Sequence, residues 1–126
     1  MPRILLLLLL FVVVILSGCS KDSKDLLIGK WTSDFSSQRE GTDEELSHFN
    51  YLEITETNII FRSYVDLNQD DSMVRQFGET IKTTKYVFKP GNTIMIDDKF
   101  YEIGLKKHEM IIKNENIEIH YNKESK

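Results

Sequence analysis

Few side chains in this sequence carry the chemistry of a catalyst. His48, His108 and His120 stand far apart, and no serine, histidine and acid occur in a recognisable nucleophile setting. His120 alternates with Glu118 on what reads as the polar face of a strand, so the histidines are expected to face solvent rather than a metal. The run Asp66-Leu67-Asn68-Gln69-Asp70-Asp71 comes nearest to a ligand set, with oxygen side chains at alternate places, as in a calcium loop. It departs where that loop is most demanding: Asp71 stands at the glycine position and Phe77 at the bidentate glutamate position. A solvated acidic turn is therefore expected, with weak calcium binding left open to test. No metal, cofactor or enzymatic activity is expected.

The single thiol has a different setting. Residues 1–18 begin with one positive charge, Arg3, continue through a thirteen-residue apolar run from Ile4 to Leu16, and end in the small residues Ser17 and Gly18. That is the build of a secretory leader, and the run is shorter than the roughly 20 apolar residues of a spanning helix. Leu16-Ser17-Gly18-Cys19 resembles the bacterial lipobox. The resemblance implies that Cys19 is diacylated on sulfur, becomes the first residue of the mature chain, and is acylated again on its amine. Several acyl chains make an anchor that one chain cannot, at about 0.8 kcal/mol per buried CH₂. Ser20 to Asp25 is polar throughout and reads as a flexible tether, giving boundaries of 1–18, 19–25 and 26–126. Its lysine and acidic residues resemble the tract after the lipidated cysteine in surface-exported lipoproteins of the Bacteroidota. A periplasm-facing anchor, most naturally in the outer membrane, stays open beside surface display. Cleavage removes Arg3, the only charge in residues 1–18, so the formal charge falls from −4 to −5. So acidic a chain gains nothing from a phosphate backbone, which excludes nucleic acid as a partner.

The elements after Asp25 repeat with a period of two. Leu52 and Ile54 oppose Tyr51 and Glu53; Ile59, Phe61 and Val65 oppose Ile60, Arg62 and Tyr64; Thr84, Tyr86 and Phe88 oppose Lys85, Val87 and Lys89. Ile94 and Ile96 flank Met95, Tyr101, Ile103 and Leu105 form another set, Met110 and Ile112 follow, and Ile117, Ile119 and Tyr121 oppose Glu118, His120 and Asn122. Such alternation marks half-buried antiparallel strands. Lys89-Pro90-Gly91-Asn92 suits a type II turn, and Thr55 to Asn58, Asp97 to Lys99, Lys106 to His108 and Asn114 to Asn116 are gaps of hairpin length. About eight strands at even spacing predict an all-β, antiparallel up-and-down barrel, which leaves no open edge. Thr42-Asp43-Glu44-Glu45 spells a capping box, so a short helix is expected after the first strand. Asp66 to Glu79 is a polar connection that could extend its flanking strands as a long hairpin. Either loop could cover the barrel mouth.

Ile28-Gly29-Lys30-Trp31 resembles the glycine-x-tryptophan signature of the calycin superfamily, and the last hairpins from Lys99 to Lys123 are similar to those of small lipocalin-like lipoproteins of the Bacteroidota. The resemblance implies that Gly29 lets the backbone bend tightly and that Trp31 plugs the closed end of the barrel. The family's mid-chain threonine-aspartate-tyrosine motif and its final arginine are absent, and Lys123 is the residue expected to lie over Trp31 instead.

Two functions follow from an eight-stranded barrel, whose interior either fills with side chains or holds one small ligand. A membrane-anchored barrel could bind a small apolar or amphipathic molecule among inward aromatics drawn from Tyr51, Phe61, Tyr64, Tyr86, Phe88, Phe100, Tyr101 and Tyr121. A filled barrel would instead engage another protein of the cell envelope through its outer face or loops. A cavity above roughly 300 Å³ favours the first, and an exposed apolar patch on a solid barrel favours the second. The resemblance leans towards the first.

Overall fold

A computed structural model describes residues 24–125. The leader, Cys19 and the tether up to Ser23 lie outside the described residues; residues 24–27 are helical. Eight strands follow: β1 (Gly29–Gln38), β2 (Tyr51–Ile54), β3 (Asn58–Gln69), β4 (Ser72–Lys89), β5 (Thr93–Ile96), β6 (Lys99–Leu105), β7 (Glu109–Lys113) and β8 (Ile117–Lys123). Each pairs antiparallel with the next, and β1 returns to β8, closing a lipocalin-like up-and-down barrel.

The turns follow from local chemistry. Asp70 and Asp71, and again Asp97 and Asp98, all have φ between 49° and 63°, the type I′ pattern that lets two residues reverse a twisted hairpin. Asp tolerates that left-handed region because its short side chain can bond locally. Gly91 at φ 87° fits the third place of the type II turn. Thr55 and Asn114 hold their turns with side-chain oxygens that accept from backbone N–H groups two and three residues on.

Alternation then fills the interior. Leu52, Ile54, Ile59, Phe61, Tyr86, Ile94, Ile96, Tyr101, Ile103, Met110, Ile112, Ile117, Ile119 and Tyr121 point inward and are buried in one cluster. The single helical segment between the first two strands is a 3₁₀ turn at Glu45–His48. The capping box does not form: Thr42 Oγ1 donates to Arg39 O at 2.6 Å, and the cap position falls to Glu44, which makes no side-chain cap bond. The strict period also fails in β3. Ser63 alone stands opposite Gly78, Glu79 and Thr80, a bulge that bends the strand, so Val65 lies exposed instead of joining Ile59 and Phe61.

At the end where the chain enters, Trp31 is fully buried and its Nε1–H donates to Leu27 O at 2.9 Å. Lys123 Nζ lies 5.3 Å from the centre of the Trp31 ring and donates to Leu26 O at 3.1 Å. Gly29, at φ 147°, leaves the space this needs, because a Cβ there would stand 2.6 Å from Lys123 Cε. Replacing Trp31 by alanine is expected to cost about 3–5 kcal/mol in denaturant unfolding; a loss under about 1 kcal/mol would remove the indole as the organising residue.

Candidate functional site

The opposite end of the barrel is plugged from above. Leu46 and Phe49, carried by the β1–β2 connection, are buried in the core cluster, and Phe49 meets Phe61 at 5.5 Å between ring centres. Polar contacts at the rim hold this plug. Glu45 Oε2 and Asp97 Oδ2 accept from Lys82 Nζ at 2.7 and 2.6 Å, and Thr84 Oγ1 donates to Asp97 Oδ1 at 2.6 Å. Buried Glu44 accepts from Lys99 Nζ and from Asn116 Nδ2, each at 3.2 Å. Lys82 and Thr84 hold the Asp97 carboxyl below its usual range, and Asp97 and Glu45 push the Lys82 ammonium above its own. Burial, with Glu44 near, pushes the Tyr101 phenol up to about 12.

At the plug, Leu46, Phe49, Phe61, Ile96 and Tyr101, with Lys82 and Lys99 at the rim, line a half-open hollow of about 40 Å³. That admits a few waters, and falls far short of the 300 Å³ or more of an ordinary ligand pocket. Larger hollows lie on the outside: one of about 230 Å³ over Gly104, Ile111 and His120, and one of about 910 Å³ among the charged turns near Lys99 and Asn116. A third, of about 870 Å³, opens beside Gly29 and Lys123 at the closed end. All three are open to solvent. The Tyr121 hydroxyl is buried in the core with no hydrogen-bond partner among the described residues, and burial drives its ionisation far upward.

The residues first considered for chemistry do not converge. His48 meets Asp43 at 2.7 Å and His120 meets Glu118 at 3.0 Å, while His108 stands exposed in the β6–β7 turn. Asp66 lies within β3, opposite Arg75 on β4, and Asp70 and Asp71 make the hairpin turn, so the oxygen-rich run is spread along a ribbon. Among the described residues no group of three or more histidine, cysteine, aspartate or glutamate side chains is placed to hold a metal.

Asp66 to Glu79 forms the long hairpin that extends its flanking strands, and it is the most unusual surface. Beyond the bulge, β3 and β4 continue as a two-stranded arm of six residue pairs, from Tyr64 opposite Phe77 to Gln69 opposite Ser72. At about 3.3 Å per residue it is about 20 Å long. The arm bends back over the outer wall. Tyr51 points outward from β2, yet is only 5% exposed, because Phe77 stacks edge-on against it at 5.0 Å. Arg62 lies 4.0 Å over the Phe77 ring, and Arg75 pairs with Glu124 just past β8 while its guanidinium covers Tyr64 at 4.3 Å. At the bend, Asn50 Nδ2 donates to Tyr64 O at 3.0 Å and Asn50 Oδ1 accepts from Tyr64 N–H at 2.9 Å.

Alternation divides the arm into two faces. Tyr64, Asp66, Asn68, Met73, Arg75 and Phe77 share the face turned towards the barrel, which meets it through Phe77 and Arg75 and is exposed at Asp66, Asn68 and Met73. Val65, Leu67, Gln69, Ser72, Val74 and Gln76 share the other, which carries no charge. Val65 is 58%, Val74 42% and Leu67 38% exposed, and Met73 near the tip is 68% exposed. The sequence signal for this surface was the absence of any lysine between Asp66 and Thr80, on a hairpin that would otherwise be expected to guard its edges.

Fold and surface together define a filled, closed eight-stranded barrel of lipocalin-like architecture bearing a folded-back arm. Compared with protein-family models, with curated proteins and with solved structures, the chain matches none.

A pH test follows for the plug. A carboxyl whose pKa is lowered by folding stabilises the fold above its ordinary pKa, about 3.9, and loses that contribution as pH falls through the folded value. Asp97→Asn keeps the turn, since asparagine also accepts positive φ. Its melting temperature is expected to lie a few degrees below that of the unaltered protein at pH 7, the difference closing below about pH 3.9. A difference that does not shrink as pH falls below about 3.9 would show that the charge of Asp97 is not what holds the rim.

Proposed function

We propose that this chain is a lipid-anchored envelope protein, a small lipocalin-like lipoprotein of the kind found in the Bacteroidota, whose solid barrel serves as a rigid stand for a protein-binding arm. The observation that carries this reading is the arm's charge-free outward face, with Val65, Leu67 and Val74 open to solvent on a barrel whose interior is already filled. Exposing three aliphatic side chains together forgoes about 25 cal/mol for each Å² left in water, and a partner surface recovers it. The small-ligand reading has less support, since the hollow at the plug is about 40 Å³. The protein is read as a binder, in keeping with a sequence that has no recognisable nucleophile setting.

Anchoring rests on the sequence: Cys19 follows Leu16-Ser17-Gly18 at the end of an apolar leader. No helix among the described residues is long and apolar enough to cross a membrane. Partners are accordingly the membrane, through the acyl chains, and an envelope protein, through the arm.

Cys19→Ala in the full-length gene is expected to block leader processing by the lipoprotein route and release the protein from membranes on fractionation; unchanged membrane retention would refute the anchor. For the arm, a photo-crosslinking side chain at Leu67 of the full-length protein in its host is expected to give protein adducts that disappear when Val65 and Val74 are both changed to lysine. The same probe at Val87, exposed on the barrel wall, should give at least tenfold less. Equal yields at both positions would remove the arm as the binding element.

A further inference from the structure

The bond pattern at Asn50 reveals which backbone groups of the arm are open. Because the Asn50 amide takes both the N–H and the C=O of Tyr64, Tyr64 turns both groups away from β4. Outward and inward groups alternate along an antiparallel strand. Asp66 and Asn68 on β3, and Met73, Arg75 and Phe77 on β4, therefore also turn their N–H and C=O groups to the ribbon's edges. The β3 edge is partly occupied, since Ser63 Oγ donates to His48 O at 2.7 Å and Asn50 sits over Tyr64. The β4 edge is open: among the described residues, no backbone hydrogen bond from outside the ribbon reaches Met73 or Arg75.

An open edge is a template for another strand, and proteins usually guard such edges with lysine, proline or a bulge. Ser72 to Phe77 contains neither lysine nor proline, and no register shift interrupts it. Its one charge, Arg75, is drawn aside to Glu124 and Asp66.

We propose that this edge of β4 pairs antiparallel with the same edge of a second copy of the chain, about a two-fold axis at Val74. This deepens the reading of the arm as the binding element, on which it rests. Avoidance of like charges selects that register over the one centred on the next residue, Arg75. Centred on Val74, Met73 stands opposite the second copy's Arg75 and Ser72 opposite its Gln76, so no like charges meet. A shift that centred the axis on Arg75 would set two guanidinium groups face to face, which is destabilising. Leu67 is already the cross-strand partner of Val74. The two arms would thus form one four-stranded ribbon with an unbroken apolar row of Leu67, Val74, Val74 and Leu67. Met73 and Arg75 would exchange backbone hydrogen bonds with their counterparts, and the interface is isologous, as a two-fold dimer requires.

Val74 would then meet its counterpart as a pair without mutual hydrogen bonds, where Cα atoms approach to about 4.5 Å, a separation a disulfide can span. Full-length Val74→Cys, in membranes under mild oxidation, is expected to form a covalent dimer at least tenfold more abundantly than Val87→Cys or the unaltered chain, whose only thiol is Cys19. Adding Met73→Pro removes one outward N–H while leaving the ladder to β3 intact, and should cut the dimer at least fivefold without altering barrel unfolding. If Val74→Cys stays monomeric while Leu67 still crosslinks to a different protein, the second copy is overturned and the binding arm stands. If neither crosslink forms, both are overturned. A dimer unaffected by Met73→Pro would overturn edge pairing at this register.

Discussion

The barrel depends on the fate of one indole. Trp31 is large, fully buried and polar at one atom, so the fold must supply both an apolar box and an acceptor for its N–H. The acceptor is the carbonyl of Leu27, four residues earlier, which places the helical residues 24–27 against the end of the barrel. The roof is Lys123, whose stem runs over Gly29 and whose ammonium lies over the ring while bonding Leu26 O. First strand, leading turn and last strand are thereby tied at a single point, and the seam between β1 and β8 starts from it.

With that end closed by tryptophan and the other by Leu46 and Phe49, one cluster of buried side chains fills the interior between them. The chain spends its remaining aromatic residues outside. Tyr51, Tyr64 and Phe77, with Arg62 and Arg75 laid over two of the rings, form a small second cluster between the wall and the arm. Burial there pushes the Tyr51 phenol above its ordinary pKa, though the residue lies on the barrel's outer wall. The arm is thus docked by its polar-aromatic face, and the face it turns outward is aliphatic and uncharged.

Most strands were legible because burial on one side writes itself as alternation. Leu52 and Ile54, Tyr101 and Ile103, Ile117, Ile119 and Tyr121 all lie inside as the period of two requires. Turns were legible where proline, glycine or paired aspartates fix the backbone. The bulge at Ser63 was not, because a bulge changes the count by a residue or two without a distinctive side chain, and Val65 was misplaced in consequence. The fold-back of the arm was hidden for another reason: its fastenings, Asn50 to Tyr64 and Arg75 to Glu124, join residues 14 and 49 positions apart, and no local pattern encodes them. The capping box failed because the helical turn starts at Glu45 with Glu44 as its cap, two residues past Thr42, whose hydroxyl bonds Arg39 O instead.

The pairing of β1 with β8 also orders events in time. Every other neighbour in the sheet is a hairpin, ready as soon as its own two strands exist. The seam joins the first strand to the last, across nearly the whole domain, and loop closure makes such distant pairings the slow ones. As the chain emerges from its N-terminus, β1 and its tryptophan have only β2 to lean on until residues 117–123 arrive. Folding of this barrel is therefore gated by its final strand, and a chain truncated before Ile117 would keep seven strands with both edges open and the indole uncovered.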